Sequence, residues 1–412
     1  MKIAIIGSGI AGMSAAYFLN PTHDITVFEK NNYIGGHTHT QTVEESGREV
    51  RFDSGFMVFN FVTYPNLKKL FEKLGVTIIK TDMSFSVQNP NMGVEFSGTG
   101  VKGLFADKLN VLRPNFYKFL LEINRFNRNA HRVLEENEFY TLAEFKERFS
   151  HTDLFFANYL IPMTSAVWSS EPSKVMDFPA KTLFRFFFNH GLLGIKTHHQ
   201  WYTVKNGSFS YRDLLVQSFK EKIVLSANIN KVHQEDHRAL VYFADGSIQI
   251  YDKVIFACHA DEALKLISNP SELQTKLLTA FRYQANQAVI HTDESLMPKH
   301  RDAWSSWNYR YHGDLTSTTY YMNRLQSLQS EKNYFVTIND RGAVDQEKII
   351  RTFNYHHPLF NLEAIKSQTE LPKLNEGSVL NFTGSYFKYG FHEDALTSSV
   401  VLCERILGKS VI

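Results

Sequence analysis

Cysteine is scarce in this sequence, long apolar runs are missing, and neither charge predominates. The two cysteines, Cys258 and Cys403, cannot build a disulfide framework, so a reducing compartment is expected. No stretch approaches the roughly 20 uninterrupted apolar residues of a membrane-spanning helix, and the most apolar one, residues 183–195, is interrupted by polar residues. The 44 basic and 42 acidic residues nearly cancel, which argues against a broad positive field that would bind nucleic acid.

A signal peptide is not expected either, because a strand pattern begins at Lys2 and leads directly into a glycine turn. Together with the cysteine usage, this pattern predicts a cytoplasmic protein. The mildly basic pI of about 8.3 is compatible with a local basic patch at the inner face of the membrane.

Aromatic residues are abundant instead, with 34 Phe and 19 Tyr in the chain. This excess predicts either a phenylalanine-rich core or large cavities lined by aromatic rings. The densest run, Phe184 to Phe188, is compatible with a buried helix, a cavity wall or a membrane-facing surface. In the membrane interpretation, Arg185 and Lys196 would contact lipid headgroups.

The first 30 residues carry a dinucleotide-binding pattern. An apolar strand is followed by a G-x-G-x-x-G turn, a helix at about residues 12–19 and a second strand at 24–29. In such a turn, the first glycine permits the tight bend, the second lets a diphosphate approach the backbone, and the third allows close helix–sheet packing. An acid about 20 residues further on accepts hydrogen bonds from ribose hydroxyls. The residues predicted to bind the dinucleotide here are Gly7, Ser8, Gly9, Ile10, Ala11, Gly12, Glu29 and Lys30.

Three further patterns extend the fold prediction. Pro65 to Gly75 predicts a short helix with a proline start and a glycine stop. Asp245-Gly246, between alternating apolar segments, predicts a β-hairpin. Residues 379–407 predict a strand, a glycine-rich turn and a helix.

Four ordered segments carry a family resemblance, in addition to the first glycine turn. They are Gly35-Gly36-His37, Asp53-Ser54-Gly55-Phe56-Met57, the strand from Asn228 to Val232, and the closing stretch with Gly384-Ser385 and Gly390 to Leu396. In this order they resemble the FAD-dependent amine oxidase and phytoene desaturase superfamily. Stretches such as residues 290–293, 321–326 and 356–358 are most similar to a bacterial group usually described only as predicted NAD/FAD-binding proteins, which often accompanies cyclopropane fatty acid synthases.

The resemblance implies an α/β fold with non-covalently bound FAD. A Rossmann-like FAD-binding domain of the glutathione-reductase-2 or amine oxidase type would be interleaved with a mixed sheet-and-helix (α+β) substrate domain. The predicted FAD-binding domain comprises residues 1–76, 204–264 and 375–412, and the predicted substrate domain comprises residues 77–203 and 265–374.

The resemblance also implies the remaining FAD contacts. His37 replaces the arginine that usually follows the glycine doublet, and a protonated imidazole there would favour the diphosphate in a pH-dependent way. Gly55 would give the ring system room, and a helix N-terminus near Ala395 would direct its dipole at the flavin. The residues implied are Gly36, His37, Gly55, Phe56, Met57, Val232, Gly384, Ser385, Glu393 and Ala395.

Catalytic residues are less well marked. Many amine oxidases place a lysine near flavin N5, but the corresponding segment here, residues 284–289, has none. Phe391 falls where amine oxidases often have an aromatic wall of the substrate cage. His291, His356 and His357 are candidate acid–base groups because histidine titrates near neutrality. No metal site is expected, since His37 and His39 have no third ligand placed by the sequence.

The leading hypothesis is an FAD-dependent oxidoreductase that desaturates, oxidises or isomerises a hydrophobic substrate such as a fatty acyl chain. An amine oxidase or a porphyrinogen-type oxidase is the enzymatic alternative. A flavin-binding accessory protein of a lipid-modifying enzyme, with a cyclopropane-synthase-like partner, is the alternative of a different class.

Overall fold

We analysed a computed structural model, which describes residues 1–138, 140–194, 197–313 and 315–412. Lys196, assigned above to a lipid headgroup contact, lies outside the described residues. The strands in chain order are β1 Lys2–Ile6, β2 Asp24–Phe28, β3 Thr40–Glu45, β4 Arg48–Asp53, β5 Phe59–Asn60, β6 Ile78–Thr81, β7 Phe85–Asn89, β8 Val94–Ser97, β9 Trp201–Val204, β10 Ile223–Val224, β11 Ile229–Gln234, β12 Ala239–Phe243, β13 Ile248–Tyr251, β14 Lys253–Phe256, β15 Arg282–His291, β16 Trp307–His312, β17 Leu315–Tyr321, β18 Phe335–Ile338, β19 Ile349–Leu359 and β20 Leu380–Phe382.

The helices alternate with these strands. The α-helices are α1 Ile10–Leu19, α2 Pro65–Leu74, α3 Val101–Leu104, α4 Pro114–Glu135, α5 Leu142–Arg148, α6 Asp153–Phe155, α7 Ile161–Trp168, α8 Pro172–Val175, α9 Ala180–Asn189, α10 Phe209–Val216, α11 Ala260–Leu266, α12 Glu272–Thr279, α13 Met322–Leu325, α14 Leu362–Gln368 and α15 His392–Leu407. A π-helical segment, Phe156–Leu160, joins α6 to α7. The 3-10 turns are Pro90–Met92, Lys108–Leu112, Lys220–Lys222, Glu294–Leu296, Arg301–Ala303, Gln346–Lys348, Leu371–Asn375 and Ser385–Phe387.

A five-stranded parallel sheet forms the Rossmann-like part of the fold, in the order β10-β2-β1-β14-β20. Its strands come from three segments of the chain that are far apart in sequence. Ile3 and Ile5 face the hydrophobic cluster that contains α1 and α15, while Ala4 and Ile6 face the cluster on the other side. Both faces are therefore covered, which explains why β1 is a continuous apolar run.

A seven-stranded mixed sheet forms the second layer of the molecule, in the order β19-β15-β18-β17-β16-β7-β8. Most neighbours in it are antiparallel, whereas β7 pairs with β16 in parallel. Helices α3 and α4 share a hydrophobic cluster with β7 and β8. Helices α5 and α9 belong instead to the cluster that covers one face of the five-stranded sheet.

The structure confirms the predicted α/β class and most local elements. The helix from Pro65 ends with Gly75 in the left-handed region at φ +69°, and Asp245-Gly246 joins β12 to β13 as an antiparallel hairpin. The mixed substrate domain was predicted without individual strands in residues 77–203, where the structure has β6, β7, β8 and most of β9. The domain boundaries stay predictions. Within the described residues, the helices are too short or too polar to cross a bilayer.

Candidate cofactor and substrate cavity

One cavity of about 1610 Å³ connects the two sheets. Its volume exceeds the roughly 300–1,000 Å³ of ordinary small-molecule sites. We distinguish three regions. The dinucleotide end is lined by residues 7–11, Glu29, Lys30 and Gly36; the central chamber by His37, Gly55, Phe56, Tyr355, His357, Phe391 and His392; and the apolar arm by Phe85, Phe96, Leu104, Leu120, Ile123 and Tyr159.

The first glycine turn has the shape that a diphosphate requires. A Cβ on Gly12 would lie 1.9 Å from the Gly7 carbonyl oxygen, so only glycine permits this close packing. A Cβ on Gly9 would meet nothing within 4 Å, because that side of the turn faces the cavity. Helix α1 begins at Ile10 without a side-chain cap, so its first amides are available to an anion.

Glu29 is buried at the end of β2 and organises this turn. Its Oε2 accepts hydrogen bonds from the amide (2.9 Å) and hydroxyl (2.7 Å) of Ser8, and its Oε1 accepts two from Asn31, both 2.9 Å. The carboxylate is already fully bonded, so a ribose hydroxyl would have to replace a side-chain bond from Ser8 or Asn31. Lys30 is exposed and forms an ion pair with Glu262.

Gly36 and Gly55 bring two loops together at the edge of the central chamber. The Phe56 amide donates to the His37 carbonyl at 2.7 Å, and a Cβ on Gly55 would lie 2.2 Å from that same oxygen. Gly55 was expected to make room for a ring system. The structure shows that its missing side chain first makes room for the His37 backbone. Gly55, Phe56 and Met57 all line the cavity.

His37 lies among other aromatic and histidine rings of the central chamber. Its ring lies 5.0 Å from that of Tyr355 and 5.2 Å from that of His357, measured between centroids. Burial lowers its pKa well below the usual value, and neighbouring histidines lower the pKa further. The imidazole is therefore neutral at pH 7, and its buried Nε2 has no hydrogen-bond partner among the described residues.

The C-terminal stretch closes the chamber from the other side. Gly384, Ser385 and Ala395 line the cavity, and α15 begins there at His392. The His392 ring stacks on Phe56, with centroids 3.9 Å apart. Asp394, which stands where the family often has glycine, accepts the Phe391 amide at 3.0 Å and so caps this helix. Burial raises the pKa of Asp394 to about 7.

Three residues predicted or implied to contact the cofactor do not line the cavity: Gly12, whose place is taken up by packing against Gly7, and also Glu393 and Val232. The Glu393 carboxylate accepts the backbone amides of Asn66 and Leu67, both at 2.9 Å, and so caps α2, which has no side-chain cap of its own. Val232 is completely buried inside the β11–β12 hairpin. Ile229, at the start of β11, lies against the cavity instead.

The three candidate histidines have different surroundings. His356 and His357 line the cavity. The Asn286 side-chain amide donates to His357 Nδ1 at 2.9 Å, which leaves the proton on Nε2. Burial and neighbouring histidines lower the pKa of His357 to about 4. A neutral His357 whose Nδ1 accepts from Asn286 can donate a hydrogen bond through Nε2.

His291, by contrast, lies away from the cavity and is structural. It is fully buried in β15, where Nδ1 accepts the Asp293 amide at 3.0 Å and Nε2 contacts the Thr337 hydroxyl at 2.7 Å. With Nδ1 accepting, Nε2 must carry the proton and donate to Thr337. Burial lowers its pKa to about 4. The sequence could not separate it from His357, since both stand in strands with polar neighbours.

The buried His291 should make the fold sensitive to acid. Its pKa of about 4 lies below the value of about 6.5 in the unfolded chain. Its stabilising contribution is thus complete above pH 6.5 and is lost as the pH falls toward 4, because the unfolded state binds the extra proton. Urea unfolding between pH 7 and 4.5 measures the free energy of unfolding. The His291→Gln variant should be less stable than the wild type at pH 7, but its free energy of unfolding should fall less steeply with falling pH, by up to about 1.4 kcal/mol per pH unit. Parallel curves for the two proteins would contradict this assignment.

The apolar arm extends the chamber away from the dinucleotide end. Phe391 stands at its base, stacked on Phe186 at 5.0 Å and edge-on to Trp168 at 6.0 Å. Phe184 and Phe187 of the aromatic run are completely buried, and only Phe188 is exposed. The membrane interpretation of that run is therefore wrong, since the run is mainly core with one cavity-lining ring.

Each carboxylate that lines the cavity in the described residues already has bonding partners. Its described lining contains three carboxylates: Glu29 is held by Ser8 and Asn31, Glu262 pairs with Lys30, and Asp82 accepts from Arg324 Nε at 2.7 Å. Among the described residues that line the cavity, the lysines are Lys30 and Lys265. Asn286 occupies the segment where the family's lysine was sought, and it is completely buried.

Several lining residues were missed from the sequence. Trp168, His190 and Trp201 form one wall with Phe186 of the aromatic run, and His392 lines the chamber while it shares a hydrogen bond with Tyr211. Their common sequence signal was only the aromatic excess, which indicates no positions.

The residues present fit FAD at one end of this cavity. The open face of Gly9, the uncapped start of α1 and the buried acid Glu29 match a dinucleotide, and the orphaned Nε2 of His37 calls for a polar partner in the chamber. Residues 7–11, Glu29 and Gly36 would hold the dinucleotide part. His37, Gly55, Phe56, Gly384 and Ala395 would surround the flavin.

Comparison with known proteins agrees with this geometry. The NAD(P)-binding Rossmann-like domain family matches residues 5–74. The chloroplastic/chromoplastic zeta-carotene desaturase of Capsicum annuum is 38% identical over 76 residues, which is 18% of this chain and 12% of the desaturase. The chain thus matches only a small part of this curated relative.

Solved structures match nearly the whole chain. Wild-type putrescine oxidase bound to putrescine superimposes with a TM-score of 0.71 over 99% of this chain and 100% of its own, at 12% identity. A CLA-producing fatty acid isomerase from P. acnes gives a TM-score of 0.67 over 98% of both chains, at 14% identity. At 12–14% identity these likenesses establish the fold alone, which is the fold of putrescine oxidase and of the fatty acid isomerase.

Proposed function

We propose that this protein is an FAD-dependent oxidoreductase whose substrate is apolar, such as a fatty acyl or other lipid chain. The observation that carries the proposal is the apolar arm, which leads into the central chamber while every carboxylate in the described lining already has an ion-pair or hydrogen-bond partner. Each methylene buried in such an arm contributes about 0.8 kcal/mol. A cationic amine would gain little there, because each lining carboxylate in the described residues already accepts bonds from other groups of the protein.

A bound flavin would supply the redox chemistry by accepting a hydride equivalent from a substrate C–H bond. The protein's own side chains would position the substrate and exclude water. Phe391, Phe186 and Trp168 would hold the chain at the chamber and keep water out. The neutral His357, fixed by Asn286, would donate a hydrogen bond through Nε2.

The relatives leave three kinds of reaction to consider. Carotenoid desaturation and fatty acid isomerisation both use apolar chains and agree with the arm. Putrescine oxidase binds an amine. Amine oxidation is disfavoured in this protein, because the described lining carboxylates already have ion-pair or hydrogen-bond partners. A cyclopropane-synthase-like partner stays a prediction from the resemblance alone.

The cofactor should be FAD and should be bound without a covalent link. Burial raises the pKa of the lining thiol of Cys258, so it stays protonated and is not a nucleophile. Purified protein should be yellow, and heat or acid denaturation should release the flavin into the supernatant, where chromatography should identify FAD. Flavin that stays with the precipitate, or released FMN or NAD, would contradict this part of the proposal.

A further inference from the structure

Exposed apolar side chains are concentrated in one short segment of the chain. Seven of the eighteen exposed large apolar side chains among the described residues lie between positions 92 and 121. Three of them, Val101, Leu112 and Leu121, are at least 70% exposed. We call the following group the rim surface: Val101, Leu109, Val111, Leu112, Tyr117 and Leu121. Clusters of this kind mark interaction sites rather than ordinary surface.

The rim surface adjoins the apolar arm on two different helices. In α3, Val101 is exposed while Leu104, one turn on, lines the arm. In α4, Leu121 is exposed while its neighbour Leu120 lines the arm. The helices that wall the arm therefore also carry the exposed apolar residues.

Internal contacts hold the rim surface in shape. The Tyr117 hydroxyl donates to the Val111 carbonyl at 3.0 Å, and Phe105 packs on Phe116 with ring centroids 5.8 Å apart. Arg113 donates to the Gly93 carbonyl at 2.6 Å, which ties the segment back to β8.

The same segment is strongly basic in a nearly neutral protein. Residues 99–128 contain six basic and two acidic side chains, so their net charge of +4 exceeds the +2 of the whole chain. The two acids are paired within the segment, Asp107 with Arg113 and Glu122 with Arg125. Lys102, Lys108 and Lys118 are exposed and have no acidic partner within 4.0 Å in the described part of the chain.

Exposed apolar residues surrounded by unpaired lysines complement an anionic bilayer: the apolar side chains enter the headgroup boundary while the lysines attract the acidic lipids. We propose that the rim surface docks this protein on an anionic membrane, so that a lipid substrate enters the apolar arm directly from the bilayer. The docking part stands by itself; the route of entry rests on the proposed function. A soluble protein partner would not require this apolar surface to adjoin a lipid-sized cavity.

Vesicle flotation of the full-length protein with its flavin tests the docking. Binding to phosphatidylglycerol vesicles should greatly exceed binding to phosphatidylcholine vesicles and should weaken as salt is raised. Replacing Lys102, Lys108 and Lys118 with glutamine should lower the partition coefficient about fivefold per lysine, or about a hundredfold together, which corresponds to about 1 kcal/mol per basic residue at an anionic surface.

Two matched double substitutions to aspartate distinguish a specific role of the rim surface from a general effect of exposed apolar residues on vesicle binding. Val101→Asp with Leu112→Asp should lower vesicle binding at least tenfold, whereas Ile248→Asp with Ile250→Asp, at two other exposed apolar positions on β13, should not change it. Equal binding to both lipids, equal loss in both aspartate pairs, or a solution dimer that only the Val101/Leu112 pair abolishes would overturn the docking.

The same variants distinguish failure of docking from failure of the proposed function. Reduction of the bound flavin by a detergent-dispersed lipid should be unchanged in the Val101/Leu112 variant, since neither residue lines the cavity. Vesicle binding without any reduction by lipid would leave the docking standing and sink the proposed function.

Discussion

Replacing Gly9 with alanine should deprive the protein of FAD without unfolding it, whereas replacing Gly12 with alanine should destabilise the fold itself. Gly9 has an ordinary φ of −64° and open space where a Cβ would lie, so the chain tolerates alanine there. The added methyl group would occupy the side from which a diphosphate approaches the backbone. The variant should lose one or two hydrogen bonds to the charged diphosphate, at about 1.5–3 kcal/mol each, so its affinity for FAD should fall at least tenfold.

Gly12→Ala is the matched control. Its Cβ would lie 1.9 Å from the Gly7 carbonyl oxygen, and a backbone atom cannot move aside as a side chain can. Overpacking typically costs about 1–3 kcal/mol, and the upper end is expected here. Circular dichroism melting of the FAD-free proteins and FAD titration by flavin fluorescence measure the two effects. Wild-type FAD affinity in Gly9→Ala, or an unchanged melting temperature in FAD-free Gly12→Ala, would contradict this account of the turn.

Blocking the apolar arm should reduce the turnover of long substrates selectively. Ile123 lines the arm, and tryptophan in its place should remove room for several methylenes. If four methylenes lose their contacts at about 0.8 kcal/mol each, transition-state binding of long chains should weaken by about 3 kcal/mol. Their kcat/KM should therefore fall by about two orders of magnitude. Chains short enough to end before Ile123 should react as before.

Arg132→Trp is the control for this substitution, since Arg132 is exposed in the last turn of the same helix. It should change neither FAD binding nor the chain-length profile. Rates of flavin reduction across an acyl-chain series measure the profile in all three proteins. An equal loss at every chain length, or a similar loss in Arg132→Trp, would contradict a chain-binding role for the arm.

The dinucleotide end could be predicted from the sequence because its signals are local. An apolar strand, three glycines at fixed spacing and the acid at position 29 lie within 30 residues, and each is required by backbone geometry. The parallel pairing of β1 with β2 follows from the same pattern.

The central chamber could not be predicted, because distant segments determine it. The pKa of His37 depends on burial and on His357, which stands 320 positions later in the sequence. Glu393 caps a helix whose amides lie more than 320 positions earlier. The seven-stranded sheet likewise joins residues 85–97 to strands between 282 and 359, and such pairing has no local signature.

The charge state of the cavity is another tertiary property. Asp82 and Glu262 are ordinary acids in the sequence, and only the fold brings Arg324 and Lys30 to them. Without those contacts, either acid could have been assigned to a substrate amine.

The central claim is that an apolar chain, and not an amine, is oxidised at a bound flavin. Anaerobic mixing of the oxidised protein with unsaturated lipids, with mono- and polyamines and with porphyrinogens tests it directly, because absorbance near 450 nm reports reduction of bound flavin. We expect rapid bleaching by one class of lipid, faster with longer chains until the arm is full, and no bleaching by amines. Rapid reduction by an amine, with the lipids inert, would contradict the account.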